Sequence, residues 1–558
     1  MSAFFHVFEG GGSLKRSRLT SLCALVFAAV SQMAPSALAQ EVPAEQPPAA
    51  PAPAEEIAPA GADPAAPVAP EAAPPEAEAP AEAEPVEAEP APPSVGVEAD
   101  AVVDDSGSGL FEASLSGGGD AAAAEGAPDA AGATTGGYDL NGYARGDFFV
   151  GKVSGADQAE IKAAYAELAL QLTLRSQDVG DAFADARLRY GQQGDQHDLF
   201  VDLREAYVNA YLGPFDLRLG KQIIVWGRAD AFNPTSNLTP IDFRIRSPIE
   251  DDRRVGNVGA RTILNLLPVR IEGVWLPLYE PTVYPPIEIE ELVALQQDFP
   301  STELSEGLLA GRVHLELPSF EASVSYLYGH ALLPGLRLAD FTVGPDAEIR
   351  IAQTAYKHHV AGVDFSTAVG DLFAIRGEAA YRRPVDYETR AYVPRPDLQY
   401  VLGVDRAFGP VSVIAQYLGR YTFDWERAEE PDTSLGPDFL LGAMPPLAPL
   451  VEQGIVDTVN GILAVRNQAL FQQLAEVQHL ASVRLEWLTL HDTLSLSALG
   501  LMNFTTREWL VFPKVGYRIS DRLITYLGGE IYSGPDGTLF DLIDETLTAG
   551  YAELRLTF

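Results

Sequence analysis

The chain has 558 residues and a formal net charge of −40, with 47% hydrophobic residues and a mean hydropathy near zero. Such acidity argues against nucleic acid as a partner, because phosphate backbones are held by basic surfaces. The one cysteine, Cys23, provides no disulfide framework. No segment carries the roughly 18 consecutive apolar residues of a helical membrane span.

In the first forty residues Lys15, Arg16 and Arg18 precede an apolar stretch from Leu19 to Val30, and Ala37-Leu38-Ala39 stands before Gln40. This order predicts a secretory signal peptide over residues 1–39, cleaved at an A-x-A site. Thr20-Ser21-Leu22 makes a poor lipobox for Cys23, and the fourteen residues ahead of Lys15 point to a translation start further downstream. Export without a helical anchor leaves the periplasm, the exterior, or a barrel in an outer membrane.

Residues 40–136 read as a disordered periplasmic tether. From Glu41 to Gly137 there are twenty acidic residues and no Lys or Arg, first in a Pro/Ala/Glu-rich run and then in a Gly/Ala/Asp-rich one. Such a chain has too little apolar area to offset its conformational entropy, and its prolines stiffen it. One island interrupts it, Leu110-Phe111-Glu112-Ala113-Ser114-Leu115. It is either part of a solvated spacer or a docking peptide for a periplasmic protein through Leu110, Phe111 and Leu115. Taking out the −20 of the tether and the +2 of the signal region leaves −22 on the remainder.

From residue 137 to 558 the period is two. Ala166, Leu168, Leu170, Leu172 and Leu174 alternate with Glu167, Gln171, Thr173 and Arg175. Ala481, Val483, Leu485 and Trp487 alternate with Ser482, Arg484 and Glu486, and Leu523, Thr525, Leu527 and Ile531 with Tyr526 and Glu530. Read in order, strands fall near 138–151, 162–175, 181–191, 199–212, 214–226, 256–266, 269–279, 307–317 and 320–330. Nine more fall near 356–367, 371–383, 397–407, 410–421, 477–489, 492–503, 507–518, 521–532 and 547–558. Every second connection is a tight turn, among them Gly213-Pro214, Pro318-Ser319, Gly409-Pro410 and Ser520-Asp521, while the others are longer. Short turns alternating with long loops predict an all-β, antiparallel up-and-down transmembrane barrel of about 18 strands.

The last strand places Ala552, Leu554, Leu556 and Phe558 on one face and Tyr551, Glu553, Arg555 and Thr557 on the other. It resembles the closing strand of bacterial outer-membrane barrels, which ends in an aromatic residue recognised by the barrel-assembly machinery. The resemblance implies that role for Phe558.

Gly220-Lys221-Gln222 leads to Trp226-Gly227-Arg228, then Asn233-Pro234 and Asp242, with Leu203-Arg204-Glu205-Ala206-Tyr207-Val208 before it. This stretch resembles a family of outer-membrane barrels labelled only as a domain of unknown function. The resemblance implies a porin-like body, with proposed roles in moving lipids or other hydrophobic molecules, and no catalytic residues. By itself, Trp226 at a strand top suits an interfacial aromatic belt. The loop after it is crowded with charge, including Arg228, Asp230, Asp242, Arg244, Arg246, Arg253 and Arg254. It reads either as a solvated outer loop or as an inward-folded pore constriction containing Trp226 and those charges.

Pro449 to Leu474 has helical spacing, with Val451, Ile455, Val459, Ile462, Leu463, Leu470, Phe471 and Leu474 on one side. A shorter helical piece is expected over Ile289–Phe299. Either both pack on the rim or they form a hydrophobic plug over the mouth. No catalytic, cofactor or metal site is expected. The histidines lack metal spacing, and adjacent His358 and His359 face opposite sides of a strand.

These expectations combine as a non-enzymatic, porin-like outer-membrane channel for small or amphipathic molecules, passive or gated, in contact with outer-membrane lipid and able to form oligomers. The alternative is a structural or secretion barrel of an envelope-spanning machine for polysaccharide export or motility.

Overall fold

The computed structural model describes residues 137–558 apart from 153–157, 177–178, 194–195, 231, 285–292, 343–347, 371–372, 430 and 432–447. The expected signal peptide and tether, with Leu110, Phe111 and Leu115, lie outside the described residues.

The strands are β1 (Gly137–Lys152), β2 (Ala159–Ser176), β3 (Gly180–Gln193), β4 (Gln196–Leu212), β5 (Phe215–Gln222), β6 (Asn257–Leu266) and β7 (Val269–Leu276). Next come β8 (Val293–Asp298), β9 (Leu308–Leu317), β10 (Phe320–His330), β11 (Gly335–Thr342), β12 (Glu348–Thr354), β13 (Lys357–Val369) and β14 (Phe373–Pro384). The last are β15 (Asp397–Phe408), β16 (Val411–Thr422), β17 (Val477–Thr489), β18 (Leu494–Asn503), β19 (Trp509–Ser520), β20 (Leu523–Ser533) and β21 (Ala549–Thr557). Two helices occupy connections, α1 (Ala448–Leu470) and α2 (Leu539–Leu547).

Eighteen of these strands form one sheet in which each pairs with the next of the eighteen along the chain, β7 with β9 and β10 with β13 included. The sheet closes where β1 meets β21 antiparallel, from Tyr143 opposite Thr557 to Val150 opposite Gly550. Phe558 extends that seam, its N–H and C=O exchanging hydrogen bonds of 2.9 and 3.0 Å with Gly142. Closure leaves no unpaired edge, which a hydrocarbon environment requires.

The dyad pattern gives the wall its two faces. Leu168, Leu170 and Leu174 of β2 point outward and are exposed, while Glu167 and Ala169, on either side of Leu168, are buried inside. In β21, Leu554 and Leu556 face out and Tyr551 and Glu553 face in. On the outer face, aliphatic residues such as Val313, Val324, Val363, Leu402 and Leu485 lie between two aromatic girdles. Tyr211, Phe215, Phe320, Phe408 and Trp487 stand near the short turns; Tyr190, Trp275, Tyr328, Tyr417 and Trp509 stand near the long loops. An apolar band between aromatic rings matches a bilayer and its two interfaces.

The tight turns occur where the sequence predicts them. Gly213 and Gly409 take φ of +66° and +63°, left-handed conformations that favour glycine over residues bearing a Cβ. A second, three-stranded sheet is separate from the wall and packs against α1. In it β11 pairs antiparallel with β12, and β12 pairs parallel with β8.

Two expectations change. The stretch over Ile289–Phe299 is not helical where described: Val293–Asp298 is strand β8, opposite Ile349–Thr354. Six residues make fewer than two helical turns, and pairing with β12 satisfies their backbone instead. Strand β5 also ends at Gln222, four residues early. Its partner β6 begins opposite at Asn257, and the Ile223 amide donates to the Glu205 carboxylate at 2.8 Å rather than to a backbone carbonyl of a paired strand.

Candidate functional site

From Ile223 to Gly256 the chain leaves the wall and folds into the barrel. Gly227 is the pivot. Its φ is +101°, and a Cβ there would come within 1.8 Å of Asn233 Oδ1. Glycine therefore follows Trp226 because the Asn233 side chain packs directly on its Cα. Thr239 Oγ1 accepts from the Ile224 amide and donates to the Ile224 carbonyl, both at 2.8 Å, so the segment doubles back on itself. Further along, the Asp242 amide donates to Arg253 O and the Val283 amide to Ile241 O, both at 2.8 Å.

One end of the segment is fixed to the wall formed by β7, β10, β13, β14 and β17. Trp226 is not in an aromatic belt: it is 2% exposed, and its indole N–H donates to Glu272 Oε1 at 3.1 Å. A belt position would leave the indole on the outer face, but the chain has already turned inward at Ile223. Glu272 also accepts from Arg261 at 2.8 Å. Arg228 Nε donates to Asp364 Oδ1 at 2.9 Å, and its Nη1 donates to Glu321. Glu378 accepts four hydrogen bonds from the segment: from the amides of Arg228 (3.1 Å), Ala229 (3.3 Å) and Thr235 (2.6 Å), and from the Thr235 hydroxyl (2.7 Å). Asp230 Oδ2 receives Arg484 Nε at 2.8 Å.

The other end is fixed across the β1–β21 seam. Asp252 lies 2.6 Å from Arg145 and 2.7 Å from Arg187, and accepts from Ser247 at 2.6 Å. Arg253 meets Glu530 at 2.5 Å, and Arg246 lies 3.4 Å from the same carboxylate while donating to Leu547 O at 2.7 Å. Burial alone would raise the Asp252 carboxyl. The guanidiniums of Arg145 and Arg187 overcome that and hold it well below the ordinary carboxylate range. Burial lowers the Arg246 guanidinium against the pull of Glu530.

The eight residues singled out by sequence therefore do not act as one cluster. Trp226, Arg228 and Asp230 tie to one side of the lumen, and Arg246 and Arg253 to another. Asp242 and Arg244 pair with each other at 2.6 Å, and Arg254 pairs with Asp251 at 2.7 Å. The wall partners Glu272, Asp364, Glu378, Arg145, Arg187, Arg484 and Glu530 were not singled out. Their inward alternation is legible in sequence, but not which of them meet the segment.

Above the segment, the loop-bearing end is filled by apolar side chains. Phe232, Ile241 and Phe243 of the segment pack with Ile455, Val459 and Leu463 of α1, Phe540 and Ile543 of α2, and inward-facing Leu418, Leu480, Leu501 and Leu510. Each such side chain contributes roughly 1.5–3 kcal/mol on burial. Polar contacts fix the register: Asn467 exchanges bonds of 2.9 and 2.8 Å with the Leu336 backbone. Arg420 of β16 donates to the Phe471 and Gln472 carbonyls at 2.5 and 2.6 Å, placing a cation at the C-terminal end of α1. Lys162 does the same for α2, reaching Thr546 O at 3.0 Å and Thr548 O at 2.9 Å.

The fold and this interior define a closed, 18-stranded antiparallel barrel whose lumen is crossed by one of its own loops. Residues 111–248 match the family model described as "Protein of unknown function (DUF1302)", a range that includes the stretch from Gly220 to Asp242. No curated protein matches the chain. Among solved structures, the chain is similar to OccK2 (OpdF) of Pseudomonas aeruginosa in complex with glucuronate, at 10% identity over 75% of this chain and 97% of that one, with a TM-score of 0.44. It is also similar to OccAB4 of Acinetobacter baumannii, at 10% identity over 76% and 98% of the two chains, with a TM-score of 0.44. For a BenF-like porin from Pseudomonas fluorescens Pf-5 the values are 10%, 75% and 98%, and the TM-score is 0.44.

Proposed function

We propose that the protein is a gated, porin-like channel of an outer membrane, passing small or amphipathic molecules, in which the segment from Ile223 to Gly256 is the gate. The observation that carries this reading is the pair of anchors on separate parts of the wall. Arg228, Asp230 and Thr235 hold one end to Asp364, Arg484 and Glu378, and Asp252 and Arg253 hold the other to Arg145, Arg187 and Glu530. Ion pairs and hydrogen bonds of this kind can be exchanged for contacts with water or with a polar solute, whereas a plug built only of packed hydrocarbon has no such alternative. Apolar side chains above the segment suit a cargo with both polar and apolar parts.

The test is single-channel recording of the purified barrel in planar bilayers. The wild-type protein should show low or brief conductance, and Glu378→Ala should open it more often or to larger currents. Silent bilayers with both proteins, each shown folded by heat-modifiable mobility, would sink the channel reading.

A second reading, a structural or secretion barrel of an envelope-spanning machine, draws on the stretch from Glu41 to Gly137 with its twenty acidic residues and no Lys or Arg. A tether of that length raises the effective concentration of a periplasmic protein, with Leu110, Phe111 and Leu115 as its contact. Deleting Glu41–Gly132 would then abolish co-purification of a periplasmic partner while leaving conductance intact. Under the channel reading, flux and phenotype survive the deletion together.

A further inference from the structure

Three residues stand side by side on the outer face of the wall, just below the long loops: Tyr328 of β10 is opposite His359 of β13, and His359 is opposite Arg383 of β14. Directly opposed residues project from the same side of a sheet, so the three side chains form a row across adjacent strands. The Tyr328 and His359 rings stack at 4.6 Å with 28° between their planes. Tyr326, two residues before Tyr328 and 52% exposed, places its hydroxyl 2.7 Å from His359 Nδ1. With that hydroxyl donating, the imidazole carries its proton on Nε2, which has no partner among the described residues. Arg383 is exposed and has neither a carboxylate nor a hydrogen-bond partner among the described residues.

We infer that Tyr326, Tyr328, His359 and Arg383 form a site on the outer wall for the phosphate group of a membrane lipid. The row lies within three residues of the loop-side ends of its strands, as β10 ends at His330, β13 begins at Lys357 and β14 ends at Pro384. That is the depth of the loop-side aromatic girdle, where headgroups meet the hydrocarbon band. A guanidinium fork and an imidazole N–H, held on neighbouring strands, supply the donors that a phosphate oxygen set accepts. The stacked tyrosine ring gives an apolar floor for the first carbons of the attached chains. A free anion would gain only the donors, so the apolar surroundings select a lipid over inorganic phosphate. The inference rests on the barrel being embedded in lipid, and not on its conducting.

The experiment is native mass spectrometry of the full barrel in detergent, titrated with phosphatidic acid, with phosphatidylcholine, and with inorganic phosphate as competitor. The wild-type barrel should retain one phosphatidic acid roughly tenfold more tightly than the His359→Gln/Arg383→Gln double variant. Arg406→Gln, which removes an exposed arginine beside Phe408 near the short turns, should retain it as the wild type does. Tyr326→Phe should weaken retention less than the double variant, because only the imidazole orientation is lost. Heat-modifiable mobility reports folding of each variant. Equal retention by the wild type and the double variant, equal loss in Arg406→Gln, equal retention of phosphatidylcholine, or full displacement by millimolar inorganic phosphate would each overturn the site. A barrel that retains the lipid but never conducts would overturn the channel reading alone.

Discussion

Asp252 and Arg145, 107 residues apart in sequence, meet at 2.6 Å inside the barrel, joining the end of an inward loop to the first strand of the wall. Both side chains are excluded from solvent, and Arg187 completes the anchor at 2.7 Å. Removing one member of such a buried set leaves the others charged and uncompensated, which costs on the order of 3–5 kcal/mol. Asp252→Ala should therefore release that end of the segment while the closed sheet still assembles. Limited proteolysis should cut between Arg244 and Arg254 in the variant and not in the wild type, with heat-modifiable mobility retained. Equal protection of the two proteins would mean that Asp252 is not an anchor.

The same residue sets a pH window. Its folded-state pKa is held well below the ordinary value, so the stabilisation is present above the unfolded carboxyl pKa, about 3.9, and is lost as pH falls through the lower, folded value. Hydrogen exchange of residues 245–256, corrected for intrinsic rates, should stay slow from pH 7 down to about 4 and accelerate only below that. Acceleration already near pH 6 would contradict a carboxylate held by two guanidiniums.

Gly227→Ala tests the pivot. A methyl group at φ +101° strains the backbone and collides with the Asn233 side chain. The cost is at least about 1–2 kcal/mol from the backbone conformation alone. The expected outcome is a folded barrel with increased open probability in bilayers and a lower thermal transition. Wild-type currents and stability would show that the turn at Asn233-Pro234 tolerates displacement.

Orientation is testable with single cysteines in intact cells. Ser305→Cys and Glu388→Cys lie in long connections and are exposed, and should react with a membrane-impermeant thiol reagent. Asp492→Cys and Arg522→Cys, in short turns, should react only after the envelope is broken. The opposite labelling would invert the barrel. Thr235, in a long connection too, is a poor reporter because it is 3% exposed inside the lumen.

Phe558→Asp should lower the amount of barrel in the membrane several-fold. The ring is 48% exposed on the lipid-facing side at the seam, where an aspartate would meet hydrocarbon or headgroups. Membrane levels of the variant equal to wild type, measured on heat-modified gels, would remove the role assigned to the terminal aromatic residue.

The period of two over β2, β17 and β20 and the alternation of turns with loops were enough to determine the wall. Each strand must present one face to hydrocarbon and one to water, and a one-residue slip would invert both, so the pattern is written locally. Helix α1 was legible for a similar reason, since Ile455, Val459, Leu463 and Leu470 repeat at helical spacing. Strand β8 was not, because its state depends on Ile349–Thr354, more than fifty residues away. Nor did the sequence say that the charged loop turns inward, that Trp226 leaves the belt for Glu272, or that Asp252 finds Arg145. Those contacts depend on which inward-facing side chains stand opposite one another once β1 and β21 have closed. A lumen contact between residues 107 to 150 positions apart leaves no trace in local periodicity. It is decided by the tertiary structure, because only the closed wall brings the two charges to one depth and removes the water that would otherwise separate them.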